Sequence, residues 1–167
     1  LFPYTTLFRS KQEQMMRMAR EIANRETDNK AFANEAQSLL NQSPELASLT
    51  WLDARQRVHA TYASASNNST MSFLTGNAVT HAETLSAFQL ARDLQQPVYS
   101  QPIIERRSNA APYTHLQLHV PILNHGKFEG VLLAEYTMDG MLRFAVPNEI
   151  ANRFVALAHR DAQHQVG

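Results

Sequence analysis

Two histidines four residues apart, His115 and His119, are the residues of this chain whose types and spacing most readily suggest chemistry. On a helix this spacing would bring both imidazoles over one zinc ion. On a β-strand, which rises about 3.3 Å per residue, the same two rings stand roughly 13 Å apart. A zinc ion bound at about 2 Å from each nitrogen could not join them across that distance. The local backbone therefore decides whether the pair is a metal site.

The surrounding sequence, THLQLHVPIL, favours the strand. Leu116, Leu118 and Val120 alternate with polar residues that include both histidines, as expected of a strand with one apolar face. Glu does not follow His115, so the zinc motif His-Glu-x-x-His is absent, and no third ligand lies at a useful spacing. We therefore expect no metal site and interpret the two histidines as polar positions on a partly exposed face of a sheet.

Other catalytic signatures are also missing from the sequence. It contains no Gly-x-Ser-x-Gly elbow, no glycine-rich phosphate loop and no kinase motif, and it has only five glycines. The absence of cysteine excludes disulfides, thiolate zinc sites and cysteine nucleophiles. We expect a non-catalytic chain that carries no cofactor.

The length and composition indicate one folded domain. A chain of 167 residues fits a single globular domain, with or without an appendage. Apolar residues make up 44% and charged residues 18%, which indicates a folded chain rather than a disordered one. Fifteen basic residues balance fifteen acidic ones, so we expect no nucleic-acid partner. The apolar runs are far shorter than the roughly 20 residues of a spanning helix, so the chain would reach a membrane only through missing flanking segments.

The first half of the chain predicts two helices and a β-hairpin. Residues 1–10 resemble an artefactual tail and are left out of the prediction. Apolar residues recur at helical spacing in 11–25 and again around Phe32 to Leu40. The hairpin is predicted from two short apolar runs, at about 49–52 and 58–62, on either side of a polar turn.

The second half predicts one more helix and the remaining strands. After a long polar loop at 64–80, Thr80 and Glu83 match a capping box that opens a helix to about Gln95, where Pro97 stops it. The elements expected beyond it are a short edge strand at 98–104, a basic polar loop at 104–112, a hairpin that turns at Asn124-His125-Gly126, and helical segments at 138–144 and 148–154.

These elements together predict an α+β fold in which a long N-terminal helix backs a central antiparallel sheet of about five strands. The helical segment occupies residues 11–42 and the sheet-forming module residues 43–147. Residues 148–167 are interpreted as a linker helix and the start of a truncated second module.

This order of elements, and several residues, resemble the Cache family of PAS-like extracytoplasmic sensor domains. The stretch PELASLTWLDARQRVHATYAS is similar to the first hairpin of that family, with matches at Leu46, Leu49, Trp51, Leu52, Asp53 and Val58. The stretch LQLHVPILNHGKFEGVLLAEYTMDGML is similar to its later strands, with matches at Pro121, Gly130 and Tyr136. The resemblance covers about residues 11–147 and is greatest to the periplasmic sensing regions of histidine kinases of the dicarboxylate-sensor type.

The resemblance implies a periplasmic ligand-sensing domain of a transmembrane receptor, most simply a two-component sensor histidine kinase. Its ligand would be a small molecule such as an organic acid or an amino acid. The receptor would form a homodimer through the N-terminal helix, where Met15, Met16, Met18 and Ile22 offer a partner helix or the sheet an adaptable apolar surface. Two alternatives stay open: the same fold acting without a ligand as a dimerisation or docking module, and the sensor domain of a chemoreceptor or a cyclic-dinucleotide enzyme.

The resemblance also implies a ligand pocket among the long loop, the helix at 81–95, the stretch at 97–115 and the central strands. In that pocket Arg106 or Arg107 could hold a carboxylate, because the guanidinium fork fits two oxygens at once. Hydrogen bonds or an apolar wall would come from Tyr99, Tyr113, His115 and Tyr136. The alternative interpretation leaves both arginines solvated and makes Tyr136 a core residue.

Overall fold

The computed structural model describes residues 3–65 and 73–145, without the side chains of 3–8, 107, 110, 144 and 145. Within these residues the chain forms one antiparallel sheet with helices on both of its faces. The elements in chain order are α1 (Pro3–Ala23), α2 (Asn29–Gln42), β1 (Leu46–Asp53), β2 (Val58–Ala63), α3 (Ala82–Leu94), β3 (Val98–Tyr99), β4 (Ile103–Arg107), β5 (Ala110–Asn124), β6 (Lys127–Thr137), α4 (Met138–Gly140) and a π-helical turn (Met141–Ala145).

The sheet has the strand order β2-β1-β6-β5-β3, with β4 also pairing with β5, and all of these pairings are antiparallel. The predicted α+β class with a central antiparallel sheet is confirmed. The described residues form six strands rather than about five, because the segment predicted as one edge strand forms β3 and β4. Pro102 lies between these two strands, and a proline cannot donate a hydrogen bond to a β-ladder.

The prediction of a basic loop at 104–112 is wrong. These residues form most of β4 and the start of β5, which pair with each other across a tight turn. Glu105 lies opposite Tyr113 in this pairing. The local sequence, IERRSNAAP, has no clear period of two, so the strand arises from pairing with β5 rather than from its own pattern.

Helices α1 and α2 cover one face of the sheet, which confirms the prediction that a long N-terminal helix backs the sheet. The apolar stripe of α1, represented by Met15, Met18 and Ile22, is buried against the sheet in the larger hydrophobic core. The carboxylate of Asp28 caps α2 by accepting a hydrogen bond from the backbone N–H of Ala31 at 2.7 Å. Helix α1 is longer than the predicted 11–25, because it begins at Pro3.

Helix α3 covers the opposite face. Phe88 and Ala91 of this helix pack on Leu52, Val131 and Leu133 in a second hydrophobic core. Strand β6 is therefore buried on both faces from Val131 to Tyr136, as its continuous apolar sequence predicts.

The predicted end of α3 is confirmed and its predicted start is wrong. The helix closes at Gln95, whose backbone takes the left-handed conformation with φ of +55°. At the other end the N-cap residue is His81, which makes no side-chain capping bond. Thr80 therefore stands one residue too early for the capping box, and Glu83 instead contacts the Nδ1 atom of His81 at 2.8 Å.

Two turn features hold the strands in register. The Asp53 carboxylate accepts hydrogen bonds from the backbone N–H groups of Arg55 and Arg57 at 2.8 and 3.0 Å, which closes the β1–β2 hairpin. The β5–β6 hairpin turns at His125 and Gly126, both with positive φ (+50° and +79°), as a two-residue turn of this kind requires. The predicted hairpin turn is confirmed.

Some predictions lie outside the described residues. They are the middle of the long loop, the helix at 148–154 and the first strand of a second module. The helix predicted at 138–144 is confirmed as α4 and the π-helical turn that follows it.

Candidate functional site

A group of polar side chains is buried on the α3 side of the sheet. The strand register explains the grouping, because Ser48 on β1 lies opposite Glu135 on β6, which in turn lies opposite Gln117 on β5. In the next row His119 lies opposite Leu133. Directly paired residues point to the same face, so these side chains share one surface. We call it the polar cluster, and its members are Ser48, Thr50, Glu105, His115, Gln117, His119 and Glu135.

His115 occupies one end of the cluster, between two carboxylates from neighbouring strands. Its Nε2 atom lies 2.7 Å from Oε1 of Glu105 on β4, and its Nδ1 atom lies 3.1 Å from Oε1 of Glu135 on β6. The oxygens approach off the line of the ring N–H bonds, so these are ion-pair contacts rather than well-aligned hydrogen bonds.

The prediction that both histidines lie on a partly exposed face is wrong. The relative exposure of His115 and of His119 is 0%. The predicted alternation itself is correct, with Leu118 and Val120 on the helix α1 side and the histidines on the other. Alternation fixes the direction of a side chain, whereas burial depends on what packs on this face, which includes α3.

A chain of hydrogen bonds runs from Glu135 to His119. The side-chain amide nitrogen of Gln117 donates to Oε2 of Glu135 at 3.1 Å, and Oε1 of Gln117 lies 2.9 Å from Nε2 of His119. A carboxylate can only accept, so it fixes the amide with its NH₂ group toward Glu135. The amide oxygen then requires a proton on Nε2 of His119, which leaves a lone pair on Nδ1 of that ring.

The two histidines differ in their protonation. Burial lowers the pKa of His119 to about 3, so its imidazole is neutral. Burial also opposes the charged form of His115, and this is the largest single influence on it. Glu135 and Glu105 together outweigh it, and the pKa of His115 is raised above its usual 6.5.

Besides the two ring nitrogens of His115, which contact carboxylates without well-aligned hydrogen bonds, three buried polar atoms in this layer lack hydrogen-bond partners among the described residues. They are Nδ1 of His119, Oγ of Ser48 on the sheet, and Oγ1 of Thr84 on the buried side of α3. A buried polar group without a partner costs about 1–3 kcal/mol, and most such groups in proteins are paired. The layer between the sheet and α3 therefore has an unfilled capacity for hydrogen bonds.

The structure brings together two of the six predicted site residues. The ring of Tyr113 stands edge-on to that of His115, with 4.4 Å between their centroids. Tyr99 lies opposite Leu118 and thus on the helix α1 side, and Tyr136 is a core residue of that side, where burial raises the pKa of its hydroxyl. Arg106 is exposed, and the side chain of Arg107 lies outside the described part of the chain.

Sequence reasoning missed Glu105, Glu135 and the role of Gln117. A signal for Glu135 was available, because a lone acidic residue inside the apolar run VLLAEY needs a partner if the strand is buried. Glu105 gives no such signal, because its surrounding sequence predicts a loop.

The described residues offer no metal site and no membrane span. No three His, Cys, Asp or Glu side chains in 3–65 and 73–145 are grouped so that they could hold a metal ion. None of the helices described is both long and apolar enough to cross a bilayer.

Two surface clefts lie away from the polar cluster. One, of about 290 Å³, is lined by residues of 73–81 and Val58. The other, of about 330 Å³, lies between the turn residues 53–55 and 127–129. Neither cleft contains a member of the polar cluster.

No protein-family model matches the sequence, and no curated protein matches it. Solved structures do match the fold. The ligand-binding domain of the Pseudomonas aeruginosa PAO1 amino acid chemoreceptor PctB in complex with L-Gln is similar with a TM-score of 0.60 and 13% identity, over 84% of this chain and 52% of that one. The PctC domain from the same organism, in complex with GABA, gives a TM-score of 0.54 and 12% identity, over 82% and 56% of the two chains.

A histidine-kinase structure is similar as well. The extracellular domain of vpHK1S-Z8, described as a histidine kinase, gives a TM-score of 0.57 and 11% identity, over 89% of this chain and 60% of that one. This chain thus spans between 52% and 60% of the length of these three structures. Identities this low show a shared fold, which is that of Cache-like extracellular ligand-binding domains, and the predicted fold is confirmed.

Proposed function

We propose that this chain is a periplasmic ligand-sensing domain of a transmembrane signalling receptor, most simply a two-component sensor histidine kinase. It acts by binding and not by catalysis. Its ligand is a small polar molecule such as an amino acid, bound between the sheet and α3. The observation that carries this proposal is the set of unpaired atoms in that layer, on Ser48, Thr84 and His119.

The hydrogen-bonding character of the cluster favours a ligand that donates. Nδ1 of His119 carries a lone pair, because the bond from Nε2 to Gln117 fixes the tautomer. The neighbouring carboxylate of Glu135 adds negative charge to the same surface. Even when His115 is protonated, the cluster holds two carboxylates against one imidazolium. A protonated amine supplies N–H donors and a further positive charge.

The bound ligands of similar structures support this ligand class. L-Gln in PctB and GABA in PctC each contain an amino group and a carboxyl group. The amino group would meet the polar cluster. For the carboxyl group, Arg106 or Arg107 stays the proposed partner, and Arg106 is exposed to solvent.

Binding would require a change in the layer that holds the site. The unpaired atoms are out of contact with solvent, so a ligand reaches them only if part of this layer, which includes α3, moves. A ligand that favours the opened arrangement would shift the population toward it. Helix α1 packs on the other face of β5 and β6 and is the element placed to report the shift.

We propose that dimerisation uses α1, but through its outer surface rather than its apolar stripe. The apolar stripe that includes Met15, Met18 and Ile22 is occupied by the sheet of the same chain. A partner helix would therefore meet the outer surface of α1, where Arg17 pairs with Glu21 and with Glu35, each at 2.7 Å.

A ligand-free docking or dimerisation module of the same fold is the second candidate. It is favoured by the contacts of Glu135, because both carboxylate oxygens already have partners, in His115 and Gln117. A receptor of the chemoreceptor or cyclic-dinucleotide type would share the sensing role and differ only in its output region.

Thermal-shift screening with amino acids, GABA and dicarboxylates tests the proposal. A ligand at about 100 times its dissociation constant should stabilise the domain by roughly 2.7 kcal/mol. His119→Leu removes the acceptor and should weaken the response measured from its own baseline. His59→Leu, at an exposed histidine on β2, is the matched control and should respond like the wild type. Silence across the library would instead favour the ligand-free module.

A further inference from the structure

Both ring nitrogens of His115 face a carboxylate oxygen in a region closed to water. The distances are 2.7 Å to Glu105 and 3.1 Å to Glu135. The side chains of the three residues have relative exposures of 0%, 8% and 1%. At these distances the ring contacts both carboxylates directly, with no room for a water molecule between them.

This arrangement requires an additional proton. A neutral imidazole has one N–H group and one lone pair, so it can donate to only one of two carboxylates. The nitrogen without a proton would then remain in contact with the second carboxylate oxygen, and that contact is repulsive. Both contacts become favourable when the ring is an imidazolium with two N–H groups. The three groups together therefore hold one proton in addition to the single N–H of a neutral imidazole.

We infer that His115, Glu105 and Glu135 form a proton-binding site through which the domain responds to the acidity of its surroundings. This inference deepens the proposed sensing function by adding the proton as a second ligand. It rests on that function only for its biological meaning, because the proton site itself follows from the geometry.

The described groups that contact the ring include no cation that would replace the proton. Among the described residues, the titratable or charged side chains that face His115 are Glu105 from β4, Glu135 from β6 and Tyr113 from its own strand. Glu135 is also held by the Gln117 amide at 3.1 Å, so it is not free to turn away from the ring. His119 is connected through that amide and is neutral.

Strand β4 is the element whose position depends on the proton. Among the described strands β4 pairs only with β5, and an irregularity between Glu105 and Arg107 interrupts even that pairing. Glu135 lies on β6, which pairs along its length with both β1 and β5. When the proton leaves, the contact to Glu105 is the one that can be released by moving an edge strand.

The test is a pH titration of the ¹⁵N-histidine-labelled domain followed by NMR. We expect the His115 ring to keep both protons well above pH 6.5, and Glu135→Gln to lower its midpoint by about one unit, a tenfold loss of proton affinity. The matched control is Glu129→Gln on the same strand, where the carboxylate pairs with Arg25 at 3.1 Å, and it should leave the midpoint unchanged. A wild-type midpoint at or below 6.5, or an identical midpoint in Glu135→Gln, would overturn the inference.

Hydrogen exchange of the backbone of β4 gives a second readout. Its protection, compared with that of β1 in the same sample, should fall as the pH rises through the His115 midpoint. Ligand screening at pH 6 and pH 8 separates the two proposals. A ligand response without a raised His115 midpoint supports the sensing function and rejects the proton site. A raised midpoint without any ligand response supports the proton site and rejects small-molecule binding.

Discussion

The side-chain amide of Gln117 joins Glu135 to His119, donating to the carboxylate at 3.1 Å and facing the imidazole across 2.9 Å. One residue thereby fixes the orientation of an acid and the tautomer of a base in a layer closed to solvent. Because all three side chains are buried, removal of the amide leaves two polar groups without their partners.

Gln117→Leu should destabilise the domain by at least about 2 kcal/mol, because each buried group left unpaired costs about 1–3 kcal/mol. The measurement is urea denaturation followed by circular dichroism. Gln101→Leu, at an exposed position, is the control and should lie within about 0.5 kcal/mol of the wild type. Equal midpoints for the two variants would show that the Gln117 bonds contribute nothing net to stability.

Gly130→Ala should be strongly destabilising. The φ angle of Gly130 is +150°, and an added Cβ atom would lie 2.1 Å from the backbone oxygen of Leu52, which cannot move without breaking the β1–β6 pairing. We expect a loss of about 3 kcal/mol or more in the free energy of unfolding. Gly76→Ala separates the two causes, since Gly76 also has a positive φ of +88° but nothing within 4 Å of its added Cβ. A comparable loss in both variants would assign the effect to backbone conformation alone.

The raised pKa of His115 makes the stability of the domain pH-dependent on the alkaline side. Desolvation of the ring opposes protonation, and the two glutamates outweigh it. Since the folded state holds the proton more tightly than the unfolded state, this stabilisation is complete below about pH 6.5 and is lost as the pH rises through the folded pKa. Glu135→Gln should flatten this part of the curve of melting temperature against pH. A wild-type curve already flat there would contradict the prediction.

His119 has the opposite effect on the acid side. Its pKa is lowered by burial to about 3, so below the usual 6.5 the unfolded state binds a proton that the folded state does not. Stability should therefore fall between pH 6.5 and pH 3 by about 1.4 kcal/mol per pH unit from this group alone. The measurement is the free energy of unfolding of His119→Leu minus that of the wild type over this range. This quantity should increase as the pH falls. A constant difference between the two proteins would mean that His119 is protonated in the folded state.

The sequence alone determined the directions of side chains and the places where the chain turns. Apolar residues at Leu116, Leu118 and Val120 placed His115 and His119 on the opposite face of a strand, because side chains alternate with a period of two. The turn at Asn124-His125-Gly126 and the apolar stripe of α1 were equally accessible, since each depends on residues that are close together in the chain.

The burial of the histidines, and the choice of carboxylates that meet them, depend on the tertiary structure. Glu105 and Glu135 reach His115 from two other strands, and β4 owes its strand conformation to pairing with β5 rather than to any pattern of its own. Alternation states which way a side chain points but not what covers it. The pKa values of the two histidines, and with them the proposed proton site, therefore follow from long-range packing that the local sequence does not encode.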